Sequence, residues 1–262
     1  MAVLSTIKSV LSVIWSILSF ACKKIFWKNA SIVYINDNKK RTNKRDLTKA
    51  FEIEHHKFIN IYTDGKVVSL AKIHLLLMKI NQKAIIRNMT NQPDLYYFGF
   101  VSVPFAIYDG YSISDNYKIQ LCDKAKNDSK TYSIEYKHKR IIQNTYSILN
   151  NDEINLVISS SYLINKSLIA NGLHTYELNV ELIPDKITSN YINDIYFKVL
   201  DFLDEASKVG VKRIHLFVAS RQAVSFAIGS AIQARHPEII VYEFDGTKYT
   251  WGLNFKTRKV IK

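Results

Sequence analysis

Two stretches of this chain align without a gap. Tyr96-Tyr97-Phe98-Gly99-Phe100-Val101-Ser102, followed by Val103-Pro104-Phe105-Ala106-Ile107-Tyr108-Asp109-Gly110, lies over His215-Leu216-Phe217-Val218-Ala219-Ser220-Arg221 and Gln222-Ala223-Val224-Ser225-Phe226-Ala227-Ile228-Gly229. Phe98 falls on Phe217 and Gly110 on Gly229. Each stretch reads as a short apolar strand turning into an apolar helix. Downstream, Lys118–Cys122 and Tyr132–Tyr136 match Ile239–Glu243 and Tyr249–Phe255, two strands joined by a polar turn. In the second copy that turn is Asp245-Gly246, a hairpin signal. Upstream, Phe58–Tyr62 matches Leu178–Leu182, and Ile32–Ile35 matches Leu156–Ser159. The best-marked helix carries Ile192, Ile195, Tyr196, Val199, Leu203 and Ala206 on one face and ends at Gly210.

Each half thus reads as strand, strand, helix, strand, helix, strand, strand. Strands separated by helices predict an α/β fold: a mainly parallel sheet covered on both faces, with an antiparallel hairpin at one edge. Chance similarity between two strand-helix units is the simpler explanation of any one match; the shared order of the whole set argues for duplication. Asn150-Asn151-Asp152 is the boundary between a first half, residues 29–150, and a second, residues 151–262. A length of 262 residues suits two small halves sharing one interface. Apolar residues at 47% and aromatics at 12% supply a core and exclude overall disorder. Two cysteines, Cys22 and Cys122, exclude both a disulfide framework and a four-thiolate zinc site, as in a reducing compartment.

The charge of +13 is unevenly spread. Lys8, Lys23, Lys24, Lys28, Lys39, Lys40, Arg41, Lys44 and Arg45 stand against Asp37 alone in residues 1–45. A basic cluster flanking an apolar segment points to an anionic membrane face rather than to duplex nucleic acid. The segment is Ala2–Cys22, with one charge (Lys8) and neither Gly nor Pro; 20 residues of helix span about 30 Å, a hydrocarbon core. Ser5, Ser9, Ser12, Ser16 and Ser19 recur four and three residues apart and form one polar stripe. Such a stripe favours close helix association in lipid, or lines a narrow aqueous path once helices gather. The alternatives are a secretory signal, an interfacial helix or a buried soluble helix; basic residues follow the apolar run rather than precede it, unlike a signal. Residues 1–28 are therefore expected to form a transmembrane helix, single-pass, with the body on the cytoplasmic side of a bacterial inner membrane.

The stretch Tyr96–Gly110 with its hairpin, together with Ile214–Gly229, Val241-Tyr242-Glu243 and Tyr249, resembles the SAVED domain, over about residues 50–262. The resemblance implies two CARF-like, Rossmann-type units in tandem, as in effectors of CBASS-type anti-phage defence and some type III CRISPR effectors. It also implies binding of a cyclic oligonucleotide messenger, homo-oligomerisation through SAVED stacking, and activation of an attached module; partner modules include nucleases, proteases, TIR domains and, in some members, membrane helices. This sequence departs from the pattern in showing one span where membrane-fused members often have two. Ser102-Val103-Pro104 also stands where the first motif often has His before its proline.

A cyclic tri- or tetranucleotide carries one negative charge per linkage and needs donors for phosphate and flat surfaces for bases. In open α/β sheets the ligand crevice lies beyond the C-terminal ends of the strands, where helix N-termini offer free N–H groups. Ser220, Arg221 and Gln222 occupy that position in the second half, and Ser102 in the first. Ser159, Ser160, Ser161 and Tyr162 follow the opening strand of the second half; Asn36 and Lys39 are their counterparts in the first. Arg221 suits a bidentate phosphate contact; a solvated helix terminus is the plainer reading. The serines equally suit a helix cap, Tyr162 a core position, and Lys39 a solvated charge run. His55-His56 lacks a third metal ligand at a suitable spacing, and no metal or cofactor is expected.

No phosphate loop, dinucleotide fingerprint, H-E-x-x-H or C-x-x-C occurs, and no nucleophile stands beside an obvious base. The expectation is a ligand-gated membrane effector without catalytic residues. A ring nuclease that cuts the messenger is the enzymatic alternative. A membrane-tethered module binding linear nucleic acid is a third reading.

Overall fold

The polar turns of this chain separate short β-branched and aromatic runs, and those runs pair as strands. The computed structural model describes residues 31–37, 56–61, 94–113, 118–124, 131–136, 143–169, 171–182 and 185–261. The proposed N-terminal span with Ser5, Ser9, Ser12, Ser16 and Ser19, and also Lys39, lie outside the described residues. In the first half, β1 (Ser31–Asp37), β2 (His56–Ile61), β3 (Asp94–Phe100), β4 (Lys118–Lys124) and β5 (Thr131–Tyr136) form a sheet of order β2-β1-β3-β4-β5. In the second, β6 (Glu153–Ser159), β7 (Thr175–Leu178), β8 (Arg213–Ala219), β9 (Glu238–Phe244), β10 (Tyr249–Asn254) and β11 (Lys259–Ile261) form a sheet of order β11-β10-β9-β8-β6-β7. Read from its other edge, β7-β6-β8-β9-β10, the second sheet repeats the first: four parallel strands and then an antiparallel hairpin strand, β5 or β10.

Strand order and direction therefore repeat, and so does register. Asp94 pairs with Lys118 where Arg213 pairs with Glu238, and Tyr97 pairs with Leu121 where Leu216 pairs with Val241. Only β11, at the edge beyond the second hairpin, has no counterpart among the described residues. The turn before it places Arg258 at φ 57°, with the Thr257 N–H donating to the buried Asn254 side chain at 2.9 Å.

The halves meet through α1 (Val103–Ile113) and α3 (Gln222–Ala231). Both helices are apolar almost all round, which suits burial on every side, and residues 104–110 and 223–231 are all buried. Gly110 lies directly on the backbone carbonyl of Phe226, and Gly229 on that of Ile107. Since Gly110 aligns with Gly229 and Ile107 with Phe226, exchanging the halves maps this contact onto itself. That reciprocity is the mark of a local twofold relation. Tyr97 packs on Phe226 across the same seam, ring centroids 4.3 Å apart, and the Tyr97 hydroxyl donates to the buried Asp109 at 3.0 Å.

The long helix of the second half, α2 (Ser189–Lys208), starts at Thr188, whose side chain accepts the Tyr191 N–H at 3.2 Å. It ends in a Schellman turn: Gly210, at φ 88°, donates to Ser207, and Val211 to Ala206. One sequence expectation needs correction. Among the described residues α2 and α3 pack on the same face of the second sheet, that of Ile154, Leu156, Ile158, Leu216 and Val218. The opposite face, with Val157, Phe217 and Ala219, is met by Ile164, Ile169, Tyr242 and Tyr249 instead of a helix. The reason is the link from β6 to β7, which carries only a single 3-10 turn, Lys166–Leu168, in a polar run without helical periodicity. Among the described residues no helix is long and apolar enough to cross a membrane.

Candidate functional site

The parallel strands aim their C-terminal ends at the seam between the halves. There β3 runs into Val101 and Ser102, β8 into Ser220 and Arg221, and β6 into Ser159–Tyr162. Gln222 stitches the first two ends together: its Nε2 donates to the Val101 carbonyl at 2.7 Å, while the Val101 N–H points to its Oε1 at 3.5 Å. The amides of Ser160 and Ser161 both donate to the Ala219 carbonyl, at 2.9 and 2.8 Å, so the β6 loop is held against the end of β8. Structure thus brings Ser102, Ser159, Ser160, Ser161, Tyr162, Ser220, Arg221 and Gln222 to the strand ends. Asn36 stands near the end of β1, opposite Gly99 of β3 and Ile61 of β2.

These side chains differ in what they have free to offer. The Ser159 hydroxyl accepts the Ile164 N–H at 3.1 Å, and Ser220 shares a 2.6 Å hydrogen bond with the buried Ser225. Both therefore serve local structure. The hydroxyls of Ser102 and Ser160 are buried without a hydrogen bond of good geometry among the described residues. Ser160 nonetheless lies close enough to Tyr191 to oppose the rise that burial imposes on that phenol's pKa. Tyr162 is 51% exposed, which rules out the core reading of that residue. Its phenol pKa is raised by partial burial and by the nearby Glu243.

Each half also sends a carboxylate to the helix end of the other. On β4 of the first half, Asp123 pairs with Arg221 at the N-cap of α3, Oδ2 to Nε 3.0 Å. On β9 of the second half, Glu243 accepts the Val103 N–H at the start of α1. The common register of β4 and β9 makes Asp123 and Glu243 equivalent positions. Burial pushes the Glu243 carboxyl up to about 7, helped by Asp245 and opposed by the Val103 N–H. Around the Arg221 pair, the Tyr132 hydroxyl of β5 accepts the Ile187 N–H at 2.8 Å, and Lys186 lies over the Tyr132 ring. Arg221 also donates from Nη1 to the Asp185 carbonyl at 3.3 Å.

The two helix ends are not alike. At α1 the Val103 N–H is taken by Glu243, Pro104 has none, and Phe105 and Ala106 both donate to the Ser102 carbonyl at 3.1 Å. At α3 no side chain caps the helix, and the amides of Gln222, Ala223 and Val224 meet no acceptor among the described residues. Flat surfaces lie beside the β6 loop: Phe217 and Tyr242 stack at 4.8 Å with an 8° interplanar angle, and Tyr249 meets Phe217 edge-on. Donors, hydroxyls, one guanidinium and aromatic faces together fit a ligand that combines phosphate with bases. Cys122 is buried and its thiol is pushed well up by burial, so it is a reluctant nucleophile.

The model of the family described as "SMODS-associated and fused to various effectors sensor domain", SAVED, matches residues 79–255. This chain belongs to the SAVED family. No curated protein matches it. Its fold is similar to that of the Acinetobacter baumannii Cap4 SAVED/CARF-domain containing receptor with the cyclic trinucleotide 2′3′3′-cAAA. That match has a TM-score of 0.62 at 12% identity, covering 89% of this chain and 53% of the receptor. The same receptor with 3′3′3′-cAAA matches at a TM-score of 0.59 and 14% identity, over 87% of this chain and 52% of the other. The Moraxella osloensis Cap4 receptor matches at 0.57 and 13%, over 89% of this chain and 50% of the other. The chain spans about half the length of these receptors.

Sequence reasoning missed Asp123, Tyr132, Asp185 and Glu243 of this SAVED site. The signal for two of them was present. Aligning Cys122 with Glu243 hid it, whereas the ladders place Lys118 with Glu238 and so set Asp123 on Glu243.

Proposed function

We propose that this SAVED protein is a receptor for a cyclic oligonucleotide messenger of CBASS-type anti-phage defence, with the ligand seated where the strand ends of the two halves face each other. The observation that carries this reading is the convergence of Arg221, the open end of α3, the Ser102 and Ser160 hydroxyls and exposed Tyr162 at one seam of a SAVED fold. Arg221 and the α3 amides take phosphate, while Tyr162 and its aromatic neighbours take a base. Ser159, Ser220 and Gln222 shape the loops, and Asn36 and Lys39, the sequence counterparts of the Ser159–Tyr162 stretch, are the first-half candidates for the same ligand. The trinucleotide bound by the A. baumannii receptor makes a cyclic tri- or tetranucleotide the first class to try.

Binding gathers copies through SAVED stacking and brings residues 1–28 together. Their serine stripe, Ser5 to Ser19, and the basic run behind it support insertion in the bacterial inner membrane and its disruption, ending in abortive infection. The messenger is bound rather than cut.

Thermal unfolding of the full chain against cyclic di-, tri- and tetranucleotides tests the receptor. At 100 times its dissociation constant a true ligand stabilises by about 2.7 kcal/mol. No shift with any ring refutes the reading. Chromatography after long incubation returns intact messenger; linear products would point to a ring nuclease. Co-expression with a cognate cyclase depolarises cells, and unchanged membrane potential under activating messenger rejects the membrane step.

A further inference from the structure

The guanidinium offered to the ligand is not idle in the ligand-free chain. Arg221 belongs to the second half and Asp123 to the first, and their 3.0 Å ion pair spans the seam. Side-chain exposures of 20% and 12% shield the pair from water and salt, so the two charges attract more than a surface pair would, although among the described residues Asp123 Oδ2 accepts no hydrogen bond of good geometry. Asp123 has no helical or loop freedom, because it sits in β4, paired with Tyr132 of β5. Arg221 by contrast hangs from an N-cap, and its other holds, the Asp185 carbonyl at 3.3 Å and the nearby Tyr132 hydroxyl, are neutral oxygens. The Ile187–Tyr132 hydrogen bond links the halves beside it.

Resting on the receptor reading above, we propose that Asp123 is an internal competitor for the ligand's phosphate. It occupies Arg221 in the ligand-free state and sets the messenger concentration at which the site fills. Phosphate and carboxylate are both anions matched to the same planar donor, so one must leave before the other can make a bidentate contact. Leaving also undoes an ion pair between the halves, which couples occupancy to their relative freedom. Asp123 is a positioning residue here, acting on the ligand only through Arg221.

The test is a double-mutant cycle on the full chain in detergent, read as the Kd for 2′3′3′-cAAA, 3′3′3′-cAAA and a cyclic tetraadenylate. Asp123→Asn lowers Kd about tenfold, equivalent to ~1.4 kcal/mol. Arg221→Gln raises it at least tenfold, and in that background Asp123→Asn changes it less than twofold. Asp194→Asn, at an exposed carboxylate of α2 paired with Lys198, removes one negative charge away from the pair and leaves Kd within twofold; urea unfolding verifies that each variant is folded, with Asp123→Ser as a second route to the same charge loss. Equal tightening by Asp194→Asn reduces the effect to general charge and overturns the proposal. Weaker or unchanged binding in both Asp123 variants overturns it while leaving the receptor reading intact. Failure of the unsubstituted chain to bind any ring sinks the receptor reading and this proposal with it.

Discussion

Gly229→Ala tests the seam on which every functional statement depends. A Cβ on Gly229 would stand 2.7 Å from the carbonyl carbon of Ile107 and closer still to its oxygen. Ordinary carbon–carbon contact lies at about 3.5–4.0 Å, so the two helices must part by roughly 1 Å. Backbone faces backbone here, and no flexible side chain can swing aside. Overpacking a core costs about 1–3 kcal/mol, and a rigid neighbour places this case at or above the upper end. Alanine returns at most about 1 kcal/mol of helix propensity over glycine. A net loss of about 2–3 kcal/mol is expected, a large share of the ~5–15 kcal/mol that holds a domain together. Trp251, half-buried with its ring 5.8 Å from that of Phe105 on α1, supplies the fluorescence probe. With an m-value of about 2–3 kcal/mol/M in urea, the midpoint falls by about 1 M. Gly110→Ala should cost a similar amount, since its Cβ would stand 2.9 Å from the Phe226 carbonyl carbon. The double variant should cost less than the sum, the helices having already parted. A Gly229→Ala chain as stable as the unsubstituted one would refute this close approach, and with it the twofold seam.

Glu243→Gln should alter stability with pH. The folded-state carboxyl sits at about 7 against 4.5 unperturbed, so its favourable protonated form is fully present below pH 4.5. That contribution is lost as pH rises through 7; at pH 8 the glutamine variant should be more stable by up to about 3 kcal/mol, and equal near pH 4.5, in urea melts at both values. His236 titrates in the opposite sense. Its Nδ1 accepts the Gln233 N–H at 3.0 Å and its Nε2 donates to Asp204 at 3.0 Å, which fixes the neutral ring. Burial lowers its pKa from 6.5, outweighing Asp204, with Arg235 adding to the lowering. Stability present above pH 6.5 should fall as pH drops through the lowered value, and His236→Gln should flatten the Tm difference between pH 7.5 and 5.5. Tyr97→Phe deprives buried Asp109 of a 3.0 Å donor and should cost about 1–3 kcal/mol by urea unfolding.

The order of elements was legible because both copies carry it. Six apolar segments of the second half became β6, α2, β8, α3, β9 and β10, whereas β7 (Thr175–Leu178) ends where the expected strand Leu178–Leu182 begins; Gly210 ended its helix with the positive φ that glycine tolerates. The strand-end serines were legible as a neighbourhood, since topology alone sends them there. Their individual roles were not, because a hydroxyl's partner is settled by packing: Ser159 is spent on Ile164, while Ser160, one residue on, keeps its oxygen largely free. The single-sided helical layer was missed because the 160–174 link has no periodicity from which to judge which face it leaves open. Contacts between halves were out of reach for a different reason. Asp123 and Arg221 are 98 positions apart, and nothing local to either announces the other.

Duplication gave the seam its symmetry; substitution at a few positions removed it where a ligand would arrive. Ser102 stands at the alignment position of Arg221, and Val103 at that of Gln222, so the start of α1 itself carries neither the cation nor the amide side chain that α3 has at those positions. Pro104 deletes a donor that Ala223 keeps, and Glu243 consumes the Val103 N–H while its counterpart Asp123 engages a side chain instead of the backbone. The end of α1 therefore already faces a carboxyl, whereas among the described residues the Gln222, Ala223 and Val224 amides of α3 meet no acceptor and lie behind a guanidinium. An anion entering the seam would meet a guanidinium and helix amides from the second half but only the Ser102 hydroxyl from the end of α1. On the receptor reading, a ring with repeating phosphates would have several equivalent ways to sit on a symmetric seam, whereas this one would favour a single phosphate at α3 and leave the rest of the ring to Tyr162 and the loops around it.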